Sequence, residues 1–420
     1  MDDRTAIREQ ARLVDRRLPA TILPYWLDHS ADEQGGFLLP DDVVRGPVRR
    51  VARRVLRGPI PPTTHKQLVT QSRLVWVCSH AHRHGYDTSG RALDAAQRGA
   101  RFLVERFRDP VHRGYAWTTD VAGNVTNPVN HLYALAFTVF GFVEHAHATG
   151  NDESLAWALD LHEAVHRHLH DDRYGGWREH ADGDWSAVAD DDPRIAVPFP
   201  GHKSGNAVLH WMEALTELAA ATGDPDVLAS LAEALDRCRE VLYPADPAAT
   251  REPCLPDWSA DPALAEPVSY GHNVEFAWLM LRAQAALGEP LDWARFHRYV
   301  DHTLRCGTDD RRGGVFAYGT GDEPASRRYK VSWVQCEAAN ALVVALTESP
   351  ETFDRAGYEH ALAGILRFTE RHLTDRRDGV HLESATERGG RRRARKAGDW
   401  KSGYHEVRAA VMLAEAFGRD

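Results

Sequence analysis

The stretch "GGWRE", residues 175–179, decides the fold, because it recurs along the chain. Glycine next to an aromatic side chain returns in "GGF" at 35–37, "RGYAW" at 113–117 and "GGVFAY" at 313–318, with "DGVHLE" at 378–383 as a weaker copy. Gly36 to Gly114 spans 78 residues, Gly114 to Gly176 spans 62, and Gly314 to Gly379 spans 65. The interval from Gly176 to Gly314 is 138 residues, room for two such units. Self-similarity at a regular spacing marks a chain built from repeated supersecondary units. The long gap predicts a sixth copy at "REPCLPDWS" (251–259). The first interval holds an Arg-rich loop insertion at about 43–65, centred on "RGPVRRVARRVLR" (45–57).

Between these marks the apolar residues follow a helical period. One set of segments is amphipathic and charged: 4–28, 91–108, 152–170, 225–242, 291–305 and 352–373. The other is more apolar, with isolated polar residues: 67–84, 130–148, 205–222, 271–287, 332–347 and 403–417. A helix apolar on all sides is a buried one, and a one-faced helix covers it. Strict alternation therefore predicts an all-α (α/α)6 barrel of six inner and six outer helices. Short hairpin strands are expected only in loops at one end, such as 113–126 and 174–187. The whole chain, 1–420, reads as a single catalytic domain; an open α-solenoid is the alternative.

Composition narrows the function. A formal charge of −10 argues against non-specific binding to nucleic acid. No uncharged apolar run reaches the roughly 18 residues that a membrane span requires. The start of the chain is charged and lacks the apolar core of a secretory signal. Five scattered cysteines without a C-x-x-C pair suit free thiols in a reducing compartment, so a cytoplasmic protein is expected. The basic stretch "RRRARK" (391–396) reads as solvated or loop-packing arginine.

Each apolar segment carries polar residues near its start. They are Arg73 with Trp76; Tyr133; Asn206, His210 and Glu213; His272 and Glu275; Trp333 and Glu337; and His405 with Arg408. Burying such groups unpaired costs about 1–3 kcal/mol apiece, so six coincident insertions are better explained by a sugar-sized polar cavity. The sequence has no P-loop, no G-x-S-x-G elbow, and no H-x-x-x-H or H-E-x-x-H pair among these positions, so neither a metal nor another cofactor is expected. Histidine titrates near neutrality and takes or returns protons there. Two histidines across a sugar, with Arg73 to stabilise a developing oxyanion, suit proton abstraction beside a carbonyl. Glu275 is placed to orient His272.

Five ordered stretches carry a resemblance: "QSRLVW" (71–76), "NAVLHWMEAL" (206–215), "SYGHNVEFAWL" (269–279), "WVQCEAANAL" (333–342) and "WKSGYHEVRA" (400–409). Together they resemble the N-acylglucosamine 2-epimerase superfamily, which includes cellobiose and mannose 2-epimerases and mannose isomerase. The resemblance implies cofactor-free, reversible 1,2-proton transfer on an unphosphorylated aldose through a cis-enediolate. His272 and His405 become the acid/base pair, and His210 assists ring opening. Arg73 binds O1 and O2, while Glu275 and Glu337 support the histidines and grip hydroxyls. Asn206, Tyr133, Trp333, Trp76 and Arg408 shape the sugar pocket. The family's Tyr-x-His-Ala-Phe reads Tyr133-Ala134-Leu135-Ala136-Phe137 here, and His131 is out of register with that histidine. Ser402-Gly403 stands where disaccharide epimerases carry Cys-Pro, which favours a monosaccharide, D-mannose first. The resemblance allows a homodimer. A glycoside hydrolase using two of Glu213, Glu275 and Glu337, and a non-catalytic sugar- or partner-binding scaffold, are the competing readings.

Overall fold

The computed structural model describes residues 2–39, 64–189, 192–195, 201–244, 253–261, 268–350, 352–393 and 395–418. The Arg-rich stretch at 45–57 lies outside the described residues. Helices α1 (Asp3–Arg17) and α2 (Leu23–Ser30) open the chain as one outer element, joined by a widened π-helical turn at Leu18–Ile22. Inner and outer helices then alternate: α3 (Leu68–Arg83) and α4 (Arg91–Phe102), α5 (Leu132–Thr149) and α6 (Asp152–Leu169). The second half continues with α7 (Gly205–Thr222) and α8 (Pro225–Arg237), then α9 (Tyr270–Leu287) and α10 (Trp293–Gly307). Last come α11 (Ser332–Glu348), α12 (Arg355–Phe368) and the inner α13 (Tyr404–Phe417).

The two helix types separate as their periodicity predicts. Every residue of α5 from Leu132 through Ala146 is buried, whereas α4 buries only the face of Ala92, Ala95, Ala96, Gly99, Ala100 and Phe102. The inner helices pack in sequence order, and α13 packs back on α3, so the ring is closed and the solenoid is excluded. The first outer helix, α1, covers α13 and α12. Inner-to-outer connections are tight. Helix α7 stops at Gly223 in the left-handed region (φ 63°), and Asp224 then caps α8 by accepting from the Asp226 and Val227 amides.

The opposite end carries the glycine-rich loops and all the described strands, which pair only antiparallel. Strand β1 (His65–Gln67) joins the hairpin of β2 (Thr118–Asp120) and β3 (Val125–Asn127), and β4 (Asn130–His131) pairs with β5 (His180–Ala181). Farther round the ring, β6 (Val268–Ser269) pairs with β7 (Tyr318–Gly319). The last sheet is β8 (Lys330–Val331), β9 (Ser384–Ala385) and β10 (Arg391–Arg393). Each sheet ties the strand before an inner helix to the segment after the next glycine-rich loop.

Of the expected sixth copy at 251–259, residues 251 and 252 lie outside the described residues, and 253–259 form no glycine-rich loop. Residues 255–259 repeat a different turn, that of 182–186: Leu255 N–H donates to the Ser259 carbonyl as Asp182 N–H does to Ser186. Trp258 and Trp185 both sit at φ 67°. The shared "DWS" tripeptide governs this turn, because Asp257 and Asp184 each accept from the following serine.

The loops are anchored by a device the periodicity does not reveal. In four of them a buried lysine ammonium meets the loop aspartate: Lys66 with Asp32 (2.7 Å), Lys203 with Asp171 (2.7 Å), Lys330 with Asp309 (2.8 Å) and Lys396 with Asp375 (3.0 Å). Each ammonium also lies 4.0–5.1 Å from an aromatic centroid: Phe102, Trp258, Phe368 and Tyr25 respectively. Lys66, Lys203 and Lys330 each precede an inner helix by two residues, a regularity visible once the repeats are aligned from the helix starts. Removing one partner of such a pair strands a buried charge. Lys330→Met is expected to lower the unfolding free energy by about 3 kcal/mol in urea denaturation; a loss below about 1 kcal/mol would show that the pair does not anchor the loop.

Candidate active site

The N-terminal turns of the six inner helices converge on one cavity of about 560 Å³. Eight of the eleven residues expected from sequence line it: Arg73, Tyr133, Asn206, His210, His272, Glu275, Trp333 and His405. All lie within the first six residues of their helices, where unpaired backbone amides and the helix dipole favour negative charge.

Arg73 is held in place from three sides. Its guanidinium donates to the Tyr133 hydroxyl (2.6 Å) and the Trp400 carbonyl (3.1 Å) and lies 4.1 Å from the Phe137 centroid. Trp400 itself, 48% exposed, stands at the cavity wall 5.8 Å from the Tyr133 ring. It was not singled out from sequence, since a tryptophan in an irregular loop has no periodicity to betray it.

His405 and His210 share one construction. His405 Nδ1 lies 2.6 Å from Glu337 Oε1, and His210 Nδ1 lies 2.8 Å from Glu213 Oε2. A carboxylate at Nδ1 assigns the proton to that nitrogen and leaves Nε2 as a base. The Trp333 ring lies 5.0 Å from the His272 ring and 5.7 Å from that of His405. Gly271 permits that approach, because a Cβ there would meet the indole at 2.4 Å.

Four residues sit otherwise than their spacing suggests, although Glu337 keeps its expected support of His405. Arg408 and Glu337 do not line the cavity but lie beneath it. Arg408 donates to Glu337 Oε1 (2.8 Å), to Glu275 Oε1 (3.3 Å), and to Glu213 and the Tyr404 hydroxyl. Trp76 is also absent from the cavity wall. It packs one turn deeper, stacked on His80 (4.2 Å) and edge-on to Tyr404 (5.0 Å). Glu275, expected beside His272, turns to Arg408 and lies 4.0 Å from His405. The cross-barrel attraction of a guanidinium outweighs the within-helix neighbour.

Burial and charge set the protonation states. Burial lowers the His405 pKa to about 4 despite the opposing pull of Glu337. It lowers His272 to about 3, helped by the neighbouring His210 and His405, and His210 is lowered as well. All three are neutral imidazoles near pH 7. Burial opposes ionisation of Glu213, yet Arg408, His210 and Tyr404 hold its carboxyl down at about 2. Burial opposes Glu337 too, and Arg408 with His405 overcomes it, so Glu337 is ionised. Glu275 is the opposite case: burial, then the Glu337 charge, push its pKa well above the usual carboxylate range. Glu275, Glu337 and His405 cluster closely enough to hold a metal ion, but the Arg408 guanidinium already donates to both carboxylates.

The family model for N-acylglucosamine 2-epimerase (GlcNAc 2-epimerase) matches residues 55–409. The cellobiose 2-epimerase of Bacteroides fragilis is 26% identical over 411 residues, covering 95% of this chain and 97% of that protein. The D-mannose isomerase of Thermobifida fusca is 27% identical over 294 residues, 65% of this chain and 66% of that protein. Among solved structures, the cellobiose 2-epimerase of Spirochaeta thermophila superposes with a TM-score of 0.82 at 26% identity, covering 98% of this chain and 97% of that chain.

Proposed function

We propose the following reaction for this chain, which belongs to the N-acylglucosamine 2-epimerase family: reversible 1,2-proton transfer on an open-chain, unphosphorylated aldose, D-mannose first. One imidazole of the pair His272 and His405 takes the C2 proton, and the resulting cis-enediolate is stabilised by Arg73. The other imidazole returns a proton to C2 for epimerisation. Return at C1 gives the ketose. The observation that carries this reading is the pair of half-buried, neutral imidazoles in one cavity with the Arg73 guanidinium. A base must be unprotonated and an enediolate needs a cation, and this cavity offers both.

The supporting residues have distinct work. Ionised Glu337 fixes the His405 tautomer, and Arg408 keeps Glu337 ionised. Glu213 does the same for His210, which is placed to assist ring opening. Glu275, which lines the same cavity, is placed to grip a sugar hydroxyl.

A second reading has a specific observation behind it. The roughly 560 Å³ cavity, walled by the exposed Trp400, has room beyond a single sugar ring, which favours a β-linked disaccharide such as cellobiose. Incubation with D-mannose and, separately, cellobiose, followed by product separation, decides between them. Fructose or glucose from mannose supports the monosaccharide reading. An epimerised disaccharide with inert mannose replaces it, and no conversion of either sugar contradicts both.

The depressed histidine pKa values make a pH prediction. The acidic limb of kcat/KM is expected near pH 4, well below the 6.5 of a free imidazole. A limb at 6 or above would show that the bases are not buried as described. Between these pH values the unfolded chain binds more protons than the folded one, so stability falls as pH drops through the same window. Circular dichroism at each pH separates loss of fold from loss of base.

A further inference from the structure

A second cluster of titratable side chains lies behind the cavity wall and takes no part in the chemistry above. His131 and His180 face each other across the β4–β5 ladder, their ring centroids 4.5 Å apart. Glu179 Oε1 approaches His131 Nε2 to 3.3 Å without hydrogen-bond geometry. His131 is 2% exposed and Glu179 6%, and both ring nitrogens of His131 and Nε2 of His180 lack a hydrogen-bond partner among the described residues. The three ligand atoms lie within 4.8 Å of one another.

Buried polar atoms are nearly always paired, so three orphaned imidazole nitrogens beside a carboxylate require an explanation. A structural ion-pair network does not supply it, because no lysine or arginine is among the charges acting on Glu179. The repeat itself shows what is missing here. Inner helices α3, α7 and α11 are each preceded, two residues earlier, by a buried lysine. At the same place before α5 stands Asn130, which spends its amide on the Tyr115 N–H and the Asp182 carbonyl. In this repeat the corresponding loop aspartate is Asp109, which accepts from the Val111 and His112 amides, so Glu179 is a separate carboxylate with no ammonium beside it. A comparable cluster at the far end of the barrel, His80 and Glu144, is already neutralised by Arg83 and carries no such deficit.

We propose that His131, His180 and Glu179 form a binding site for a divalent transition-metal ion, of which Zn²⁺ is the best match to two imidazoles and one carboxylate. Zinc takes this donor set at about 2.0–2.2 Å, so small side-chain rotations bring the three ligands to bonding distance. The ion supplies the positive charge that Glu179 lacks and clamps the start of α5 to the loop after "GGW". Its role is positional. His131 packs edge-on against Trp117 (4.7 Å), Trp117 lies 5.8 Å from Trp400, and Tyr133, two residues on, holds Arg73. Burial lifts the Glu179 carboxyl to about 7 and holds both imidazoles down at about 3.

Cobalt is the probe, since Co²⁺ occupies zinc sites and reports its ligands by visible absorption. Metal-free protein titrated with Co²⁺ at pH 7.5 is expected to develop a ligand-field band saturating at one equivalent and bleached by Zn²⁺. Glu179→Gln and His180→Ala are expected to lose that band while keeping the wild-type circular dichroism. Zn²⁺ is expected to raise the melting temperature of the wild type and not of Glu179→Gln. Absence of the band in the folded wild type, or an unchanged band in both variants, would overturn the site. The readouts are binding and melting, so they stand apart from the outcome of any sugar assay.

Discussion

A His405→Asn variant is expected to lose about three orders of magnitude in kcat while melting within about 1 kcal/mol of the wild type. Acid–base groups contribute about 10²–10⁴-fold, and His405 is one of two imidazoles flanking Trp333 among the described residues. Asparagine keeps a donor toward Glu337, so the buried carboxylate is not stranded and the barrel is not the cause of the loss. His272→Asn is expected to behave alike. Full activity in both variants would remove the acid/base assignment. Loss in one alone, with C2 exchange retained, would mean that a single imidazole serves both faces.

The second large effect belongs to Arg408. It lies fully buried and binds Glu213, Glu275 and Glu337, contributed by three different inner helices. Arg408→Met leaves two ionised carboxylates without their cation, and breaking a buried pair in this way costs about 3–5 kcal/mol. The sign of the pH dependence is the sharper test. Without Arg408 the Glu213 and Glu337 pKa values rise above those of the unfolded chain. The folded variant then binds more protons than the unfolded one, and stability falls as pH rises. Urea titrations at pH 5 and pH 8 are expected to show the variant more stable at pH 5, opposite to the trend the buried histidines impose on the wild type. A variant with the wild-type trend would show that Arg408 does not hold these carboxylates ionised.

The barrel was legible in sequence because both of its signals are periodic. The glycine–aromatic loops mark the repeat, and the alternation of one-faced and all-round apolar helices assigns the rings. Placement of polar residues at helix starts was legible for the same reason. What failed is depth. A residue three or four positions further along a helix shares a face with its neighbour but sits about 4.5–6 Å lower. Trp76, Arg408 and Glu337 follow Arg73, His405 and Trp333 by that spacing, and each lies under the cavity floor. Cross-barrel partners were equally hidden. Glu275 follows His272 by three residues, yet its carboxylate answers to Arg408 from another helix. The lysine anchors were missed because they precede the helices, where hydrophobic periodicity carries no information. They become visible only when the repeats are aligned.

The central claim, that an imidazole removes the C2 proton of an aldose, is tested most directly by turnover in D2O. D-Mannose incubated with the protein and followed by NMR is predicted to yield deuterium at C2 of the recovered or epimerised aldose, or at C1 of a ketose product. Turnover that leaves both carbons unlabelled, or a protein that releases sugar by hydrolysis with C2 untouched, would contradict it.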